Sequence, residues 1–310
     1  MKYIDIHAHL ESNRFEKDLD EVIKRCKEND CIVISAGVNP STNRKILELK
    51  EKYPEIIKIS FGLYPIDALA KEIEQNKETE RSGLNQRQFS RTSSLREQFK
   101  DKDYNLEVQS ASKKTDRCLP RDIESFDIES ELEWIKENKN KCIAIGEIGL
   151  DYNYEEIRNS PELQEKQKVV FKKILNLAKE IDKPVIIHSR KAESDAIQIL
   201  EEKQIKGVVM HCFSAKKSLI KRCIENGWFL SIPPVITRLE HFKMVVEMTP
   251  IGQLLTETDS PYLSPVAGER NEPSNVIITI KEIAKIKNLS EEEVRKKILE
   301  NTKRLFNLQT

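Results

Sequence analysis

A chain of 310 residues with 52 Lys+Arg against 52 Asp+Glu carries no formal net charge, which excludes a globally basic nucleic-acid-binding surface but not a local basic rim. The length suits one α/β barrel with an insertion, and charged residues at 34% match a heavily solvated surface. No apolar run approaches the ~20 residues that span a bilayer, and a strand begins almost at residue 1, so neither a membrane span nor a secretory leader is expected.

In chain order, Tyr3 to Leu10 predicts a strand that leads into His7 and His9, separated by one residue. Side chains at i and i+2 of a strand leave the same face, with Cα atoms ~6.6–6.8 Å apart. Two imidazoles so placed can converge on one ion at Zn–N distances of ~2.0–2.1 Å. Phe15 to Asn29 predicts a helix with Leu19, Val22, Ile23 and Cys26 on one face. Cys31 to Ser35 reads as a buried strand ended by Gly37, Pro40-Ser41 opens a second helix, and Ile56 to Phe61 forms a third strand running into Gly62-Leu63-Tyr64-Pro65. Strand, helix, strand, helix, strand is the rhythm of parallel βα units.

Residues 77–122 break that rhythm, being rich in Arg, Lys, Glu, Gln and Ser and poor in aliphatics. Such a stretch buries too little surface to offset its ordering entropy, so a flexible polar insertion after the third strand is expected. Arg81, Arg87, Arg91, Arg96, Lys113 and Lys114 leave open a nucleic-acid-contacting arm, weakened by the interleaved acidic residues.

The alternation then resumes. Helix Ile128–Asn138 precedes strand Cys142–Glu147, and Ser160-Pro161 supplies an N-cap and first-turn proline for a long helix. Strands follow at Pro184–His188, Gly207–His211, Trp228–Ile232 and Gln253–Glu257, separated by helices Ala192–Glu202, Lys216–Asn226 and Leu239–Met248. Two closing helices follow, the second opened by a Ser290/Glu293 capping box. Eight strands between helices predict a single (β/α)8 TIM-barrel domain over 1–310, with its chemistry at the C-terminal strand ends. The six cysteines (Cys26, Cys31, Cys118, Cys142, Cys212 and Cys223) show no C-x-x-C pair and are expected as reduced thiols of a cytoplasmic protein.

The polar residues collect at those ends. His7 and His9 close the first strand, Glu147 the fourth, His188 the fifth and His211 the sixth, and Asp259 lies just past the eighth. Any one of them fits an ordinary hydrogen-bonded barrel residue, but six ligand-type side chains on one rim point to a metal centre. His241, on a helix, is set aside as a surface residue. Four histidines and two carboxylates exceed what one tetrahedral ion takes. They suit two divalent cations ~3.5–4 Å apart sharing a carboxylate, for which Glu147 is best placed, and such a pair serves phosphoryl-transfer hydrolysis. The mixed nitrogen and oxygen set leaves Zn, Mn, Ni, Co and Mg open.

Read as an ordered series, His7-Ala8-His9, Gly146-Glu147-Ile148-Gly149-Leu150-Asp151, His188-Ser189-Arg190, His211-Cys212-Phe213-Ser214 and Glu257-Thr258-Asp259-Ser260-Pro261-Tyr262-Leu263 resemble the successive motifs of the TatD family of metal-dependent deoxyribonucleases. Arg270-Asn271-Glu272-Pro273 and Asn301-Thr302-Lys303-Arg304-Leu305-Phe306 resemble that family's closing segments, so the likeness covers nearly the whole chain apart from the insertion. It implies an amidohydrolase-like barrel that hydrolyses phosphodiester bonds of DNA, as a 3′-to-5′ exonuclease. By matched position, His7, His9 and Asp259 would hold one ion and His188 and His211 the other, with Glu147 shared. Two departures stand out: Tyr64 occupies a stretch where the family often has Gly-x-His-Pro, and the insertion exceeds the usual connection.

On this reading Asp259 is the catalytic base that takes a proton from water. Arg190 either forks onto a phosphate oxygen or forms a rim salt bridge. Glu257 orients ligands or water, while Tyr64, Phe213 and Tyr262 stack a base or pack the rim. DNA is the expected partner, with no membrane and no obligate protein partner. The rival reading keeps the metals and the base but acts on a small metabolite as an amidohydrolase, phosphoesterase or lactonase, which zero net charge favours. A non-catalytic binding module would show no turnover with any metal.

Overall fold

A computed structural model of the chain describes residues 2–73 and 125–308. Eight strands, β1 (Tyr3–Ala8), β2 (Cys31–Ala36), β3 (Ile57–Phe61), β4 (Ala144–Asp151), β5 (Val185–Arg190), β6 (Val208–Met210), β7 (Phe229–Ile232) and β8 (Leu254–Thr256), lie side by side in chain order, each parallel to the next. Helices between them cover the outer face: α1 (Leu19–Glu28), α2 (Pro40–Lys52), α3 (Ile128–Glu137), the single turn α4 (Glu155–Arg158), α5 (Pro161–Glu180), α6 (Glu193–Glu202), α7 (Lys217–Glu225), α8 (Glu240–Met248), α9 (Val276–Lys287) and α10 (Glu291–Phe306). This is the predicted TIM barrel, and parallel strands buried on both faces explain the continuous apolar runs of β2 and β5. None of the described helices is long and apolar enough to cross a membrane. The insertion at 77–122, with Cys118, lies outside the described residues.

The strands divide their side chains between two cores. Ile4, Ile6, Ile32, Ile34, Ala144, Ile186, Val209, Phe229 and Leu255 form an inner cluster, closed at one end by Phe306 of α10. Their neighbours Val33, Ile145, Val185, Ile187, Val208, Met210, Leu230 and Leu254 join the larger cluster under the helices. Two residues beyond an inner-cluster residue, the same face of the strand carries His188, His211, Ser231 or Glu257. His7 and Glu147 fall out of step with this alternation, and there the pairing itself shifts register, between Asp5 and Ala8 in β1 and between Ile145 and Ile148 in β4. An irregular strand re-aims a side chain in this way.

Closure between β8 and β1 depends on a polar seam. Ala8 bridges Ser260, the Asp259 N–H donates to the His7 carbonyl (2.9 Å), the His9 N–H donates to the Ser260 carbonyl (2.7 Å) and the Thr256 hydroxyl donates to the Ile4 carbonyl (2.6 Å). Asp5, fully buried, accepts from the His7 N–H (3.1 Å), the Thr258 N–H (2.9 Å) and the Thr258 hydroxyl (2.5 Å).

Two of the element boundaries that differ from expectation bear on the site's surroundings. The first helix starts at Leu19 rather than Phe15, because the Ser12 hydroxyl caps a separate 3-10 turn, Asn13–Phe15, that buries Phe15. The fourth strand continues past Glu147 to Asp151. Its Gly149 has φ +147°, and a Cβ there would lie 1.9 Å from the His188 carbonyl oxygen, so only glycine lets β4 press this closely on β5.

Candidate metal centre

The six predicted ligand residues meet at the C-terminal mouth of the barrel. His7 Nε2 lies 3.5 Å from Glu147 Oε2 and 3.7 Å from Asp259 Oδ1, and His9 Nε2 lies 3.5 Å and 3.4 Å from the same two atoms. Glu147 Oε1 lies 2.7 Å from His188 Nδ1 and 3.7 Å from His211 Nε2. Glu147 therefore stands between both groups of histidines. Two sets of potential ligand atoms lie mutually within 4.8 Å, His7/His9/Asp259 and His7/Glu147/His211. The second differs from the expected His188/His211/Glu147 group. The His7 and His211 rings lie 3.9 Å apart, centroid to centroid, and His188 sits 6.1 Å from His211.

Beyond this rim, carboxylates hold the far side of three imidazoles. His9 Nδ1 lies 3.2 Å from Glu11 Oε1, His188 Nε2 lies 3.2 Å from Asp151 Oδ2, and His211 Nδ1 lies 2.8 Å from Glu257 Oε2. Ser231 donates to the same Glu257 oxygen at 2.6 Å. Glu257 was singled out by the sequence; Glu11 and Asp151 were not. The usable signal was there, since a histidine that binds metal through one nitrogen commonly has an oxygen on the other. Tyr64 donates its hydroxyl to Asp151 Oδ2 at 2.7 Å. Phe213 is buried in the outer core and packs the rim. Arg190 ends β5, half-buried, and His241 is half-buried rather than a free surface residue.

Electrostatics follow from these contacts. Burial alone would raise Glu147, but His188, His7 and His9 hold its carboxyl well below the usual range. Asp259 behaves likewise, lowered by His9 and His211 against burial. Burial pulls His188 and His211 down, yet Asp151 and Glu147 lift the first to about 10 and Glu257 lifts the second to about 9. His7 goes the other way, lowered by burial and by the neighbouring His211.

His7 supplies the test of whether a cation fits. It is fully buried and neither ring nitrogen has a hydrogen-bond partner among the described residues. A neutral imidazole has one donor and one acceptor nitrogen, and an unmet buried polar group costs about 1–3 kcal/mol. A divalent cation taking the His7 Nε2 lone pair alongside His9, Asp259 or Glu147 would remove part of that cost, and the nitrogen and carboxylate donors suit one.

Known proteins resemble this chain along nearly its whole length. A family profile described as TatD related DNase matches residues 4–307. An uncharacterized metal-dependent hydrolase of Methanocaldococcus jannaschii is 33% identical over 306 residues, covering 99% of this chain and 97% of its own. The human protein named Deoxyribonuclease TATDN3 is 30% identical over 304 residues, covering 98% and 94%. In structure, a TatD homolog from Escherichia coli superposes with a TM-score of 0.74 at 21% identity, covering 99% of this chain and 98% of that one, which shows the shared fold. With a profile match across almost its full length, this chain belongs to the TatD-related DNase family.

Proposed function

We propose that this protein is a metal-dependent hydrolase that cleaves phosphodiester bonds of DNA as a 3′-to-5′ exonuclease, with two divalent cations held by His7, His9, Glu147, His188, His211 and Asp259. The observation that carries the reading is the convergence of four imidazoles on Glu147 and Asp259, with both nitrogens of His7 buried and unmet. Family membership and the deoxyribonuclease named among its relatives support the substrate class. Divalent ions bound there supply Lewis acidity toward phosphoryl oxygens and toward water.

The chain's own groups have separable tasks. Asp259, kept ionised by His9 and His211, is the proton acceptor for the attacking water, with an 18% exposed side chain that solvent reaches. Glu11, Asp151 and Glu257 fix the ring planes of His9, His188 and His211. Arg190, two residues past His188 on β5, belongs to the same face of the strand and is suited to a phosphate oxygen. Next to it, exposed Lys191 and Lys216 line a cavity of about 550 Å³ with Ser194 and Ser214, giving room for further backbone phosphates. Asp195 in the same wall is engaged by Lys168 and Tyr152.

The test is digestion of end-labelled single- and double-stranded DNA by chelated protein reloaded with Zn, Mn, Ni, Co or Mg, beside a panel of lactones, amides and small phosphoesters. Stepwise shortening from the 3′ end, lost in His188→Ala, is the expected result. Turnover confined to lactones or amides would replace this reading with the small-metabolite one.

A further inference from the structure

The stretch Gly62-Leu63-Tyr64-Pro65 departs from the family's usual histidine, and its surroundings give the tyrosine a task of its own. A Cβ on Gly62 would lie 2.3 Å from the Glu147 nitrogen and 2.4 Å from the Gly37 carbonyl oxygen, so glycine lets the end of β3 lie directly on the β4 backbone. Gly149 does the same between β4 and β5, where it pairs with His188. The two contacts bring Tyr64, the Glu147/Asp151 pair and His188 into one cluster. The backbone of Tyr64 is fixed by its N–H donating to the Val38 carbonyl at 2.7 Å.

Within the cluster His188 lies between two carboxylates of one strand, with Nδ1 at 2.7 Å from Glu147 and Nε2 at 3.2 Å from Asp151. Asp151 is fully buried and engaged at both oxygens. Its Oδ1 accepts the Asn153 N–H at 2.7 Å, while its Oδ2 receives both the Tyr64 hydroxyl at 2.7 Å and the His188 ring. Gln167 clamps the Asp151 backbone, accepting its N–H at 2.9 Å and donating to its carbonyl at 3.1 Å. The Tyr64 ring packs edge-on against His188, centroids 4.9 Å apart.

We propose that Tyr64 is a positioning residue of the metal centre: its hydroxyl holds Asp151, and Asp151 fixes the His188 imidazole with Nδ1 turned toward Glu147 and the ion. This rests on the metal-centre reading above. A tyrosine has one hydroxyl proton to give, and here it is committed to Asp151. Without it, Oδ2 keeps a single partner in a buried setting, and the carboxylate is free to turn away from His188. The ring that faces the ion then loses its fixed orientation, the kind of loss that lowers metal affinity 10–100-fold. The hydroxyl matters in this account; the aromatic face matters if Tyr64 stacks on a nucleobase.

Tyr64→Phe separates the two, since it keeps the ring and removes the donor. Affinity for Zn²⁺ and Mn²⁺ is read by competition with a chromophoric chelator, and kcat and KM on a labelled oligonucleotide are read alongside. The expected result is a loss of ion affinity of about tenfold or more, a fall in kcat that excess metal restores, and a KM within about twofold of wild type. Asp151→Asn should show a similar loss, and the double variant no more than Asp151→Asn alone, as for residues acting through one contact. Should Asp151→Asn fail to fold, Tyr64→Phe decides alone. Wild-type ion affinity in Tyr64→Phe, or a loss confined to KM, overturns the proposal. So does His188→Ala with unchanged ion affinity. Because ion binding needs no substrate, a wild type that cleaves no phosphodiester removes the nuclease reading and leaves this test intact.

Discussion

The two corners of the proposed metal centre hold their imidazoles by different means. At the β1–β8 corner, the chain does the holding. Asp5, Thr258 and the backbone of Ser260 tie the strand ends together, and the His7 ring is carried into place with no hydrogen bond to its nitrogens among the described residues. At the β4–β6 corner the rings themselves are held, His188 by Asp151 and His211 by Glu257, with Ser231 behind it. The first arrangement leaves both nitrogens of His7 without a hydrogen bond among the described residues, gives only His9 a carboxylate, Glu11, behind its ring, and depends on fold integrity. The second keeps the rings oriented, and depends on a few buried carboxylates. Damage to the first should therefore appear as lost stability, and damage to the second as lost ion affinity.

The corners meet at the reaction, so the largest expected effect comes from the acid–base group. Asp259→Asn keeps the shape and removes the proton acceptor, and kcat on a phosphodiester should fall about 10²–10⁴-fold. A rate within threefold of wild type would remove Asp259 from that role. Glu257→Gln and Asp5→Ala then test the contrast directly. Glu257→Gln should lower ion affinity about 10–100-fold with little change in the melting temperature of chelated protein. Asp5→Ala strips the acceptor from two buried N–H groups and should cost about 2–5 kcal/mol in chemical denaturation. If both variants lost stability and neither lost ion affinity, the distinction between the corners would collapse.

The asymmetry extends outward to the rim, where the cavity beside β5 and β6 carries Lys191 and Lys216. Replacing both with alanine should weaken binding of a single-stranded oligonucleotide to chelated protein by about tenfold at low salt, uniformly across sequences. The slope of log affinity against log salt should fall by about 1.4, at roughly 0.7 per lost phosphate contact. Hydrolysis of a small phosphodiester that does not reach the cavity should stay unchanged. An unaltered salt slope would place the polymer on another part of the rim.

The sequence made the barrel legible because, apart from residues 77–122, its strands alternate with helices in an apolar rhythm from β1 through the capped closing helix. Its strand ends exposed the candidate ligand set, since four histidines fall there. The orientation of that set was less accessible. His188 and His211 follow the inner-face alternation, but His7 and Glu147 reach the mouth through register shifts that no periodicity announces. The carboxylates behind the rings were harder still. Glu11 lies two residues from its histidine, whereas Asp151 and Glu257 lie 37 and 46 positions from theirs. The pairing of Tyr64 with Asp151 spans 87 positions and depends on close approaches at Gly62 and Gly149. Long-range contacts of this sort come from packing rather than local pattern.

One further carboxylate shows what the histidines do for their partners. Asp67, in the turn after β3, is half-buried and accepts from the Asn39 side-chain amide at 2.8 Å, with no cationic partner among the described residues. Burial outweighs that amide, and its carboxyl is pushed up to about 6, where Asp151 beside His188 is lowered. With a folded value of about 6 against an unfolded value of 3.8, the native state binds more protons across that window. Stability from this group is therefore full below pH 3.8 and lost as pH rises through 6. A shift of about two units corresponds to at most about 3 kcal/mol. Asp67→Asn removes the charge and keeps an acceptor for Asn39, so it should stabilise the chelated protein by about 1–3 kcal/mol at pH 7.5 and leave it unchanged at pH 4. Equal stabilisation at both pH values would mean that packing rather than charge sets the cost. A loss at pH 7.5 would mean that Asp67 has a cationic partner after all, which would put it in the same class as Asp151.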